Sequence, residues 1–439
     1  MSDSWSVVPF GELAAPVRNA IVGGPFGSDL VSNDYVSSGT PVIRGQNMQG
    51  RWVGGEFVYV TDAKADSLSG NLARAGDLIF TQRGTLGQVA LVPKQGAGKY
   101  LVSQSQMKAT IDPSKADAVF LYYFFSSAAQ QEWIRCNAIQ TGVPHTNLGI
   151  LKKHLVLLPP LAEQRMIASV LSSLDDKIEQ NRRTGRALEA LARATFKAWF
   201  VDFEPVKAKA AGAAGFPGMP PAAFADLPYR LIESPFGAVP EGWAVGTMGD
   251  LLKERGERVT PGNETRRLPY VPIDCITSRR VTLETFKSGE EAQSSLIRFQ
   301  DGDILFGAMR PYFHKVCLAP FSGTTRTTCF VLVPRTDSDR AFALMLASEP
   351  ATVQFATTHS VGSTIPYAKW QSSLHEMPCF LPPEALRAAF GMFVDSLLHL
   401  SNQTVHESAK LATLRDYLLP RLLSGEVRVV QPQSEEKPS

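Results

Sequence analysis

Two long stretches of the chain carry apolar residues at alternating steps of three and four. In residues 161–200 the series runs Ile167, Leu171, Leu174, Ile178, Asn181, Gly185, Leu188, Ala192, Thr195 and Trp199. This spacing places the side chains on one stripe of an α-helix and is typical of a coiled-coil seam. It predicts a helix from Leu161 to Phe200 that begins after Pro159 and Pro160. About 40 residues at 1.5 Å each give a rod of roughly 60 Å.

A partner helix is predicted from Glu384 to Leu423, again after a Pro-Pro pair. The first seam maps onto it at a constant offset of 223 residues, with Phe390, Val394, Leu397, Leu411 and Leu418 as counterparts. An ungapped offset is expected of rigid helices, so we expect two long antiparallel coiled-coil helices. The alternative is a helix pair that packs inside one domain. Asn181 would fix the register, and Gly185 would mark a kink or a close helix approach.

Short apolar runs separated by Gly and Pro fill the rest of the chain and are typical of strands. They include residues 57–60, 77–81, 89–92 and 329–333, and helices are predicted at Val119–Arg135 and Ala341–Phe355. The segment 5–13 matches 243–251, and 76–80 matches 302–306, so the chain is an internal repeat with a shorter second copy. We therefore expect an α+β fold: two domains of mixed α/β structure joined by the helices, with a pseudo-twofold repeat.

The repeated segments and the two predicted long helices define the expected domains. Mixed α/β domains are predicted at 1–156 and 241–379, and coiled-coil helices at 157–203 and 380–428. Residues 204–240 are rich in Ala, Gly and Pro, which favours a linker that builds no core, and 429–439 form a polar tail expected to be disordered.

The composition is that of a globular protein and does not by itself indicate a binding partner. A chain of 439 residues with 44% hydrophobic content can bury sizeable cores. There is no signal-like N-terminus and no apolar run of the roughly 18 residues that a membrane span needs, so we expect a cytoplasmic protein. The 5 cysteines and 7 histidines show no metal-binding spacing. The sequence predicts reduced cysteines, no metal site and no cofactor.

The net charge of +2 does not indicate nucleic-acid binding, but the local distribution of charge does. Residues 78–111 contain no Asp or Glu and carry Arg83, Lys94, Lys99 and Lys108. Residues 304–336 repeat this pattern with Arg310, Lys315, Arg326 and Arg335. Carboxylates are unfavourable beside phosphates, so two acid-free stretches at equivalent places favour a surface that faces DNA. A plain solvated face is the alternative.

Polar side chains in and near these stretches are the candidate DNA contacts, since arginine can read guanine and glutamine can read adenine. An arginine, Arg83 or Arg310, follows each Gly-Asp-hydrophobic strand at what we take as equivalent positions. The first copy offers Arg44, Gln46, Asn47, Gln82, Arg83, Thr85, Ser103, Gln104, His145 and Asn147. The second offers Arg279, Arg280, Arg310, Tyr312, His314, Lys315, Arg326, His359 and Ser363. For each residue, a base contact, a phosphate contact and a structural hydrogen bond stay open.

Catalytic motifs are missing from the sequence. No glycine-rich cofactor loop follows a strand, and no Asn-Pro-Pro-Tyr base pocket is present. Residues 96–100 lack the first Gly and the Ser/Thr of a phosphate-binding loop, and Asp303 is followed by no Glu-x-Lys nuclease pattern. We therefore expect a non-catalytic protein with no catalytic residues.

Several runs closely resemble the conserved regions of type I restriction specificity subunits. They are LLPPLAEQR at 157–165, LDDKIEQNRR at 174–183, FKAWFVDF at 196–203 and LRDYLLPRLLSG at 414–425. Supporting matches lie at 76–87, 239–243 and 302–312. The second helix departs from the family pattern, because Pro383–Arg387 replaces the usual Ala-Glu-Gln-Arg run.

The resemblance implies that each half is a target-recognition domain that reads one part of a split DNA sequence. It implies that the paired helices set the spacing and dock two methyltransferase subunits, and that restriction subunits with ATP-driven translocation and cleavage join them. The helix positions concerned are Leu171, Leu174, Ile178, Asn181, Leu188, Leu397, Leu411 and Leu418. A stand-alone sequence-specific DNA-binding protein is the main alternative, and an enzyme with an unrecognised site is the other.

Overall fold

The computed structural model describes residues 5–140, 144–234 and 237–429. The chain forms two compact units: unit 1 comprises Met1–Lys177 with Leu411–Ser439, and unit 2 comprises Ile178–Lys410. Both units combine strands and helices, which confirms the α+β fold class. Apart from Val429, the predicted tail lies outside the described residues.

Unit 1 contains eleven of the described strands and the first helices. The strands are β1 (Ser6–Pro9), β2 (Ile21–Gly23), β3 (Tyr35–Val36), β4 (Thr40–Ile43), β5 (Val58–Val60), β6 (Leu72–Ala73), β7 (Leu78–Thr81), β8 (Val89–Leu91), β9 (Tyr100–Val102), β10 (Gln106–Ala109) and β11 (Leu155–Leu158). The helices are α1 (Asp62–Ser67), α2 (Ala118–Ser126), α3 (Ala128–Cys136), α4 (Leu148–Lys153) and the start of α5 (Leu161–Phe196).

Unit 2 contains the later elements. Its helices are α6 (Glu204–Ala210), α7 (Pro221–Ala225), α8 (Met248–Leu251), α9 (Arg340–Ala347), α10 (Pro350–Thr358) and most of α11 (Glu384–Ser424). Its strands are β12 (Leu231–Ser234), β13 (Gly237–Pro240), β14 (Ala244–Thr247), β15 (Leu252–Glu254), β16 (Arg258–Val259), β17 (Pro269–Tyr270), β18 (Lys287–Ser288), β19 (Leu296–Phe299), β20 (Ile304–Gly307), β21 (Val316–Leu318), β22 (Gly323–Arg326), β23 (Cys329–Pro334) and β24 (Pro378–Leu381).

The internal repeat extends to the order of the strands. The antiparallel sheet β2-β10-β7-β8 has its counterpart in β15-β23-β20-β21, and the pair β1–β11 in β14–β24. The mixed sheet β5-β4-β9-β6 matches β18-β17-β22-β19, with the parallel pair at the same place in each. The copies differ at their edges, because β3 extends the first mixed sheet beside β5 and β16 extends the second beside β19. The units are thus related but unequal.

The two long helices end close to the predicted limits. Helix α5 continues as a π-helical turn over Lys197–Val201 and stops at Phe203, whose φ is 53°. Within unit 1, Arg415 pairs with Asp175 at 2.8 Å. Within unit 2, Asn181 donates to Glu407 at 2.8 Å. Also within unit 2, Gly185 approaches Thr404, so the residue number on α11 falls as the number on α5 rises and the helices are antiparallel there, as predicted.

The predicted seam lies on the inner side of the helices. Leu171, Ile178, Asn181 and Leu397 are buried, and the other named seam positions, Leu174, Leu188, Leu411 and Leu418, are half-buried. Gly185 marks a close helix approach, because a Cβ atom there would lie 3.2 Å from Thr404 Oγ1. These side chains are therefore used within the chain, and a partner protein would have to contact other faces of the helices.

Residues 204–240 do not form an unstructured linker. They fold into α6, α7 and the hairpin β12–β13, and Val206, Met219 and Phe224 are buried in the core of unit 2. The Lys209 ammonium donates to two backbone carbonyls of the segment. The expectation that this segment builds no core was wrong, because a few well-spaced apolar residues among Ala and Gly supply enough surface to bury.

The two helices predicted in the α/β parts are each broken into two. Ser127 separates α2 from α3 with an extended backbone, ψ 147°. Glu349 separates α9 from α10 in the same way, ψ 141°, since a residue before proline, here Pro350, is disfavoured in the helical region. The described residues contain no helix that is long and apolar enough to cross a membrane.

Candidate nucleic-acid interface

A polar cleft of about 430 Å³ opens in unit 1 where β4, β7 and β9 end. Five of the predicted DNA contacts, Arg44, Gln46, Arg83, Thr85 and Ser103, line this cleft. The remaining lining residues are Gly45, Gln49, Thr81, Gly84, Gln88, Ser105 and Gln106. The lining thus combines guanidinium, amide and hydroxyl groups and includes no carboxylate, which suits phosphates and base edges.

The backbone after β7 builds one wall of the cleft. The Gln82 and Arg83 N–H groups both donate to the Ser105 carbonyl, at 2.7 and 3.2 Å. Gly84 and Gly87 then turn the chain with φ values of 98° and 91°, which glycine adopts without strain. His145 forms a β-bridge with Arg83, so the segment around His145 closes this edge. Residues 141–143 of the predicted turn lie outside the described residues.

The two arginines of the cleft differ in exposure. Arg83 is exposed and can reach a ligand. Arg44 is half-buried, and its Nε is buried without a hydrogen-bond partner. A buried unpaired donor is costly, so a ligand that accepts a hydrogen bond from Arg44 would relieve that cost.

Three first-copy candidates are held within the fold. Asn47 is 1% exposed, accepts from the Arg44 N–H at 3.0 Å and donates to the Glu56 carbonyl at 2.8 Å, so its expected DNA contact is wrong. Asn147 caps α4 by accepting from the Ile150 N–H at 2.9 Å. The Gln104 side chain donates to the Gly27 and Leu30 carbonyls. Gln82 is half-buried and lies beside Gly23, outside the cleft lining.

Three second-copy candidates are also used inside the fold. Arg280 forms a two-pronged ion pair with Glu189 at 3.0 Å and a second pair with Glu284 at 2.7 Å. The His314 imidazole contacts the Ser348 carbonyl at 2.7 Å, and Lys315 donates to the Ile273 carbonyl at 2.8 Å. The expected DNA contact of Arg280 and His314 is wrong, because both are occupied by internal partners. Arg279, Tyr312, Arg326, His359 and Ser363 are exposed.

The expectation that Arg310 is the counterpart of Arg83 was also wrong. Arg83 bridges to His145, whereas Met309 makes the equivalent bridge to Tyr367. Arg310 instead takes the place of Gly84, with a positive φ of 52°, and is half-buried. The offset of 226 residues between segments 76–80 and 302–306 places Met309, not Arg310, opposite Arg83, and the second loop is one residue longer only beyond this point.

Some cleft residues were not anticipated. Gln49, Gln88 and Gln106 line the cleft but were not among the predicted contacts. Gln88 and Gln106 lie within the acid-free stretch 78–111, which was the available sequence signal, whereas Gln49 lies outside it. The Gln88 Oε1 accepts from the Thr81 hydroxyl at 3.1 Å, which orients the amide toward the cleft wall.

Comparison with known proteins finds relatives that cover most of this chain. Residues 28–190 match the type I restriction modification DNA specificity domain. The type I restriction enzyme MjaIX specificity subunit of Methanocaldococcus jannaschii is 24% identical over 85% of this chain and 84% of its own length. The HindI specificity subunit of Haemophilus influenzae is 22% identical over 85% of this chain and 92% of its own.

A solved structure agrees at the level of the fold. The crystal structure of the S subunit of a type I restriction-modification system from M. genitalium covers 96% of this chain and 97% of its own, with a TM-score of 0.58 and 16% identity. Over most of its length the chain is similar to specificity subunits of type I restriction-modification systems, and the resemblance predicted from its conserved runs is confirmed.

Proposed function

We propose that this chain selects the DNA target of a type I restriction-modification complex, with each unit reading one part of a bipartite sequence. The observation that carries the proposal is the repeated but unequal pair of units, each with matching sheets and a different set of exposed polar residues. Two related units that expose different side chains suit the recognition of two different half-sites. The cleft with Arg44 and Arg83 is the reading surface we assign to unit 1.

We assign the paired helices to two tasks, setting the distance between the half-sites and docking two methyltransferase subunits. Exposed apolar side chains on the helices support the second task. In unit 2 they include Leu191, Met392 and Leu400, 47%, 70% and 48% exposed, and in unit 1 Leu414 and Tyr417, 45% and 56% exposed. One such group in each unit fits two copies of one partner. Restriction subunits with ATP-driven activity would join this complex in the cytoplasm.

The test is to co-express the full chain with its methyltransferase and map modified bases across the host genome. We expect a split motif with a fixed unspecific gap. A single contiguous motif would mean that only one unit reads DNA. If both proteins are soluble and no base is modified, the proposal fails, and specific DNA binding by the chain alone would then favour a stand-alone DNA-binding protein.

A further inference from the structure

The loop from Arg310 to His314 in unit 2 presents two neighbouring aromatic rings to solvent. Tyr312 is 49% exposed and Phe313 is 46% exposed. Their ring centroids lie 4.8 Å apart. Two adjacent exposed aromatic side chains are unfavourable in water and are typical of a binding surface. We call this pair the aromatic knuckle.

The backbone of the knuckle is held in a strained conformation. Arg310 and His314, at its two ends, have φ values of 52° and 53°, a left-handed region that non-glycine residues rarely adopt. Hydrogen bonds fix both ends: the Arg310 N–H donates to the Pro366 carbonyl at 2.7 Å, and the Ser278 hydroxyl donates to the Phe313 carbonyl at 2.7 Å. Strain that the fold maintains in this way is typical of functional sites. The fold therefore holds the loop that carries the two rings in a preformed conformation before a ligand binds.

The surroundings of the knuckle are positively charged. The Arg279 N–H donates to the His314 carbonyl at 2.8 Å, and the Arg279 side chain is exposed. Burial, together with the nearby charges of Arg279 and Arg193, lowers the pKa of His314. The carboxylates near this loop are opposed by cations: Glu349 by Arg193 and Lys197, and Glu284 by Arg280. Residues 304–336 contain no Asp or Glu. This charge pattern favours a polyanion as the occupant.

The same loop in unit 1 has a different character. There Thr85 and Leu86 occupy the positions between Gly84 and Gly87, and the loop borders the polar cleft. The aromatic rings are thus a property of unit 2. The two units offer different chemistry at equivalent loops, one with amides and hydroxyls and the other with aromatic faces.

We propose that Tyr312 and Phe313 stack on the bases of duplex DNA at one step of the half-site read by unit 2 and partly unstack that step. The inference rests on the proposed function and adds a mode of recognition to it. Aromatic faces stack on any base, and apolar wedges open base steps while nearby cations hold the phosphates. Arg279, whose N–H bonds the loop at His314 and whose charge acts on that histidine, is such a cation.

The test uses the complex of the full chain with its methyltransferase. The probe is a duplex with the split motif found by base mapping, in which 2-aminopurine replaces each base of the unit 2 half-site in turn. We expect one position whose fluorescence changes on binding of the wild type and not of the double variant Tyr312→Ala/Phe313→Ala. Extrusion of a base for methylation would change the 2-aminopurine fluorescence with the wild type and with the double variant alike. It therefore does not contribute to the difference between the two proteins. Binding should weaken roughly 5- to 100-fold, the range for loss of base–aromatic stacking.

The matched control is Phe286→Ala, which removes another exposed aromatic side chain of unit 2, 56% exposed and packed on Phe321. It should change neither fluorescence nor affinity. If specific binding persists and no position distinguishes the double variant from the wild type, the knuckle proposal is wrong. A double variant that binds DNA normally but loses its methyltransferase would also overturn it, in favour of a protein contact. Absence of any split motif with the wild type would instead defeat the proposed function.

Discussion

The carboxylate of Glu189 on α5 is the most informative place to perturb unit 2. It is 1% exposed and accepts from the Arg280 guanidinium through two bonds of 3.0 Å. The same carboxylate accepts from the Val281 and Thr282 N–H groups at 3.2 and 3.3 Å. One side chain thus ties residues 280–282 of unit 2 to helix α5. Its removal leaves two backbone N–H donors without their acceptor and leaves Arg280 paired with Glu284 alone.

We expect Glu189→Ala to lower the free energy of unfolding of unit 2 by about 3 to 5 kcal/mol, because two buried backbone donors become unsatisfied and Arg280 loses one of its two carboxylate partners. Glu189→Gln keeps one acceptor oxygen and should cost less, about 1.5 to 3 kcal/mol for the lost charge assistance. Urea unfolding followed by tryptophan fluorescence measures both. With a slope of about 2 to 3 kcal/mol per molar, Glu189→Ala should shift the unit 2 midpoint by roughly 1 to 2 M.

The control is Glu179→Ala on the same helix, whose exposed carboxylate pairs with Arg183 at 3.0 Å and Arg186 at 3.3 Å. Exposed pairs contribute about 0 to 1 kcal/mol, so this midpoint should barely move. A Glu189→Ala midpoint no lower than that of the control would refute the reasoning, because the burial and the four hydrogen bonds would then carry no net stability.

Three further predictions concern the helices, the cleft and a buried histidine. Gly185→Leu should destabilise unit 2 by about 1 to 3 kcal/mol in urea, whereas Gly391→Ala, where a Cβ meets open space, should stabilise it by up to about 1 kcal/mol. Arg83→Ala should weaken or relax one half-site only in modified-base mapping, by about 1 to 3 kcal/mol; equal loss at both sites would contradict it. Burial lowers the pKa of His154 to about 4, below its unfolded value, so unit 1 should lose stability as pH falls from about 6.5 to 4, and His154→Leu should abolish that slope.

Regular elements could be predicted because their signals are local. The seam from Ile167 to Trp199 identified α5, and its ungapped copy identified α11. The breaks at Ser127 and Glu349 were missed, since apolar composition alone does not distinguish one helix from two short ones. For the break at Glu349, the following Pro350 was the sequence signal that could have predicted it.

The site could be predicted in outline only. Acid-free stretches indicated the region of the cleft, and five candidates do line it. Which polar residue serves the fold depends on burial and partners distant in sequence, as with Arg280 and Glu189, 91 positions apart. The register of Arg310 was misjudged although the sequence contains it, because Arg83 lies three residues after Phe80 whereas Arg310 lies four residues after Phe306.

The division of the chain into units has a consequence for how the protein is made. Unit 2 is one continuous segment, whereas unit 1 combines the first part of the chain with the segment from Leu411. Leu422 and Leu423 are buried in the core of unit 1, 2% and 8% exposed. On the ribosome, therefore, unit 1 emerges first but is completed last, and its apolar surface stays uncovered until the final helix has been synthesised.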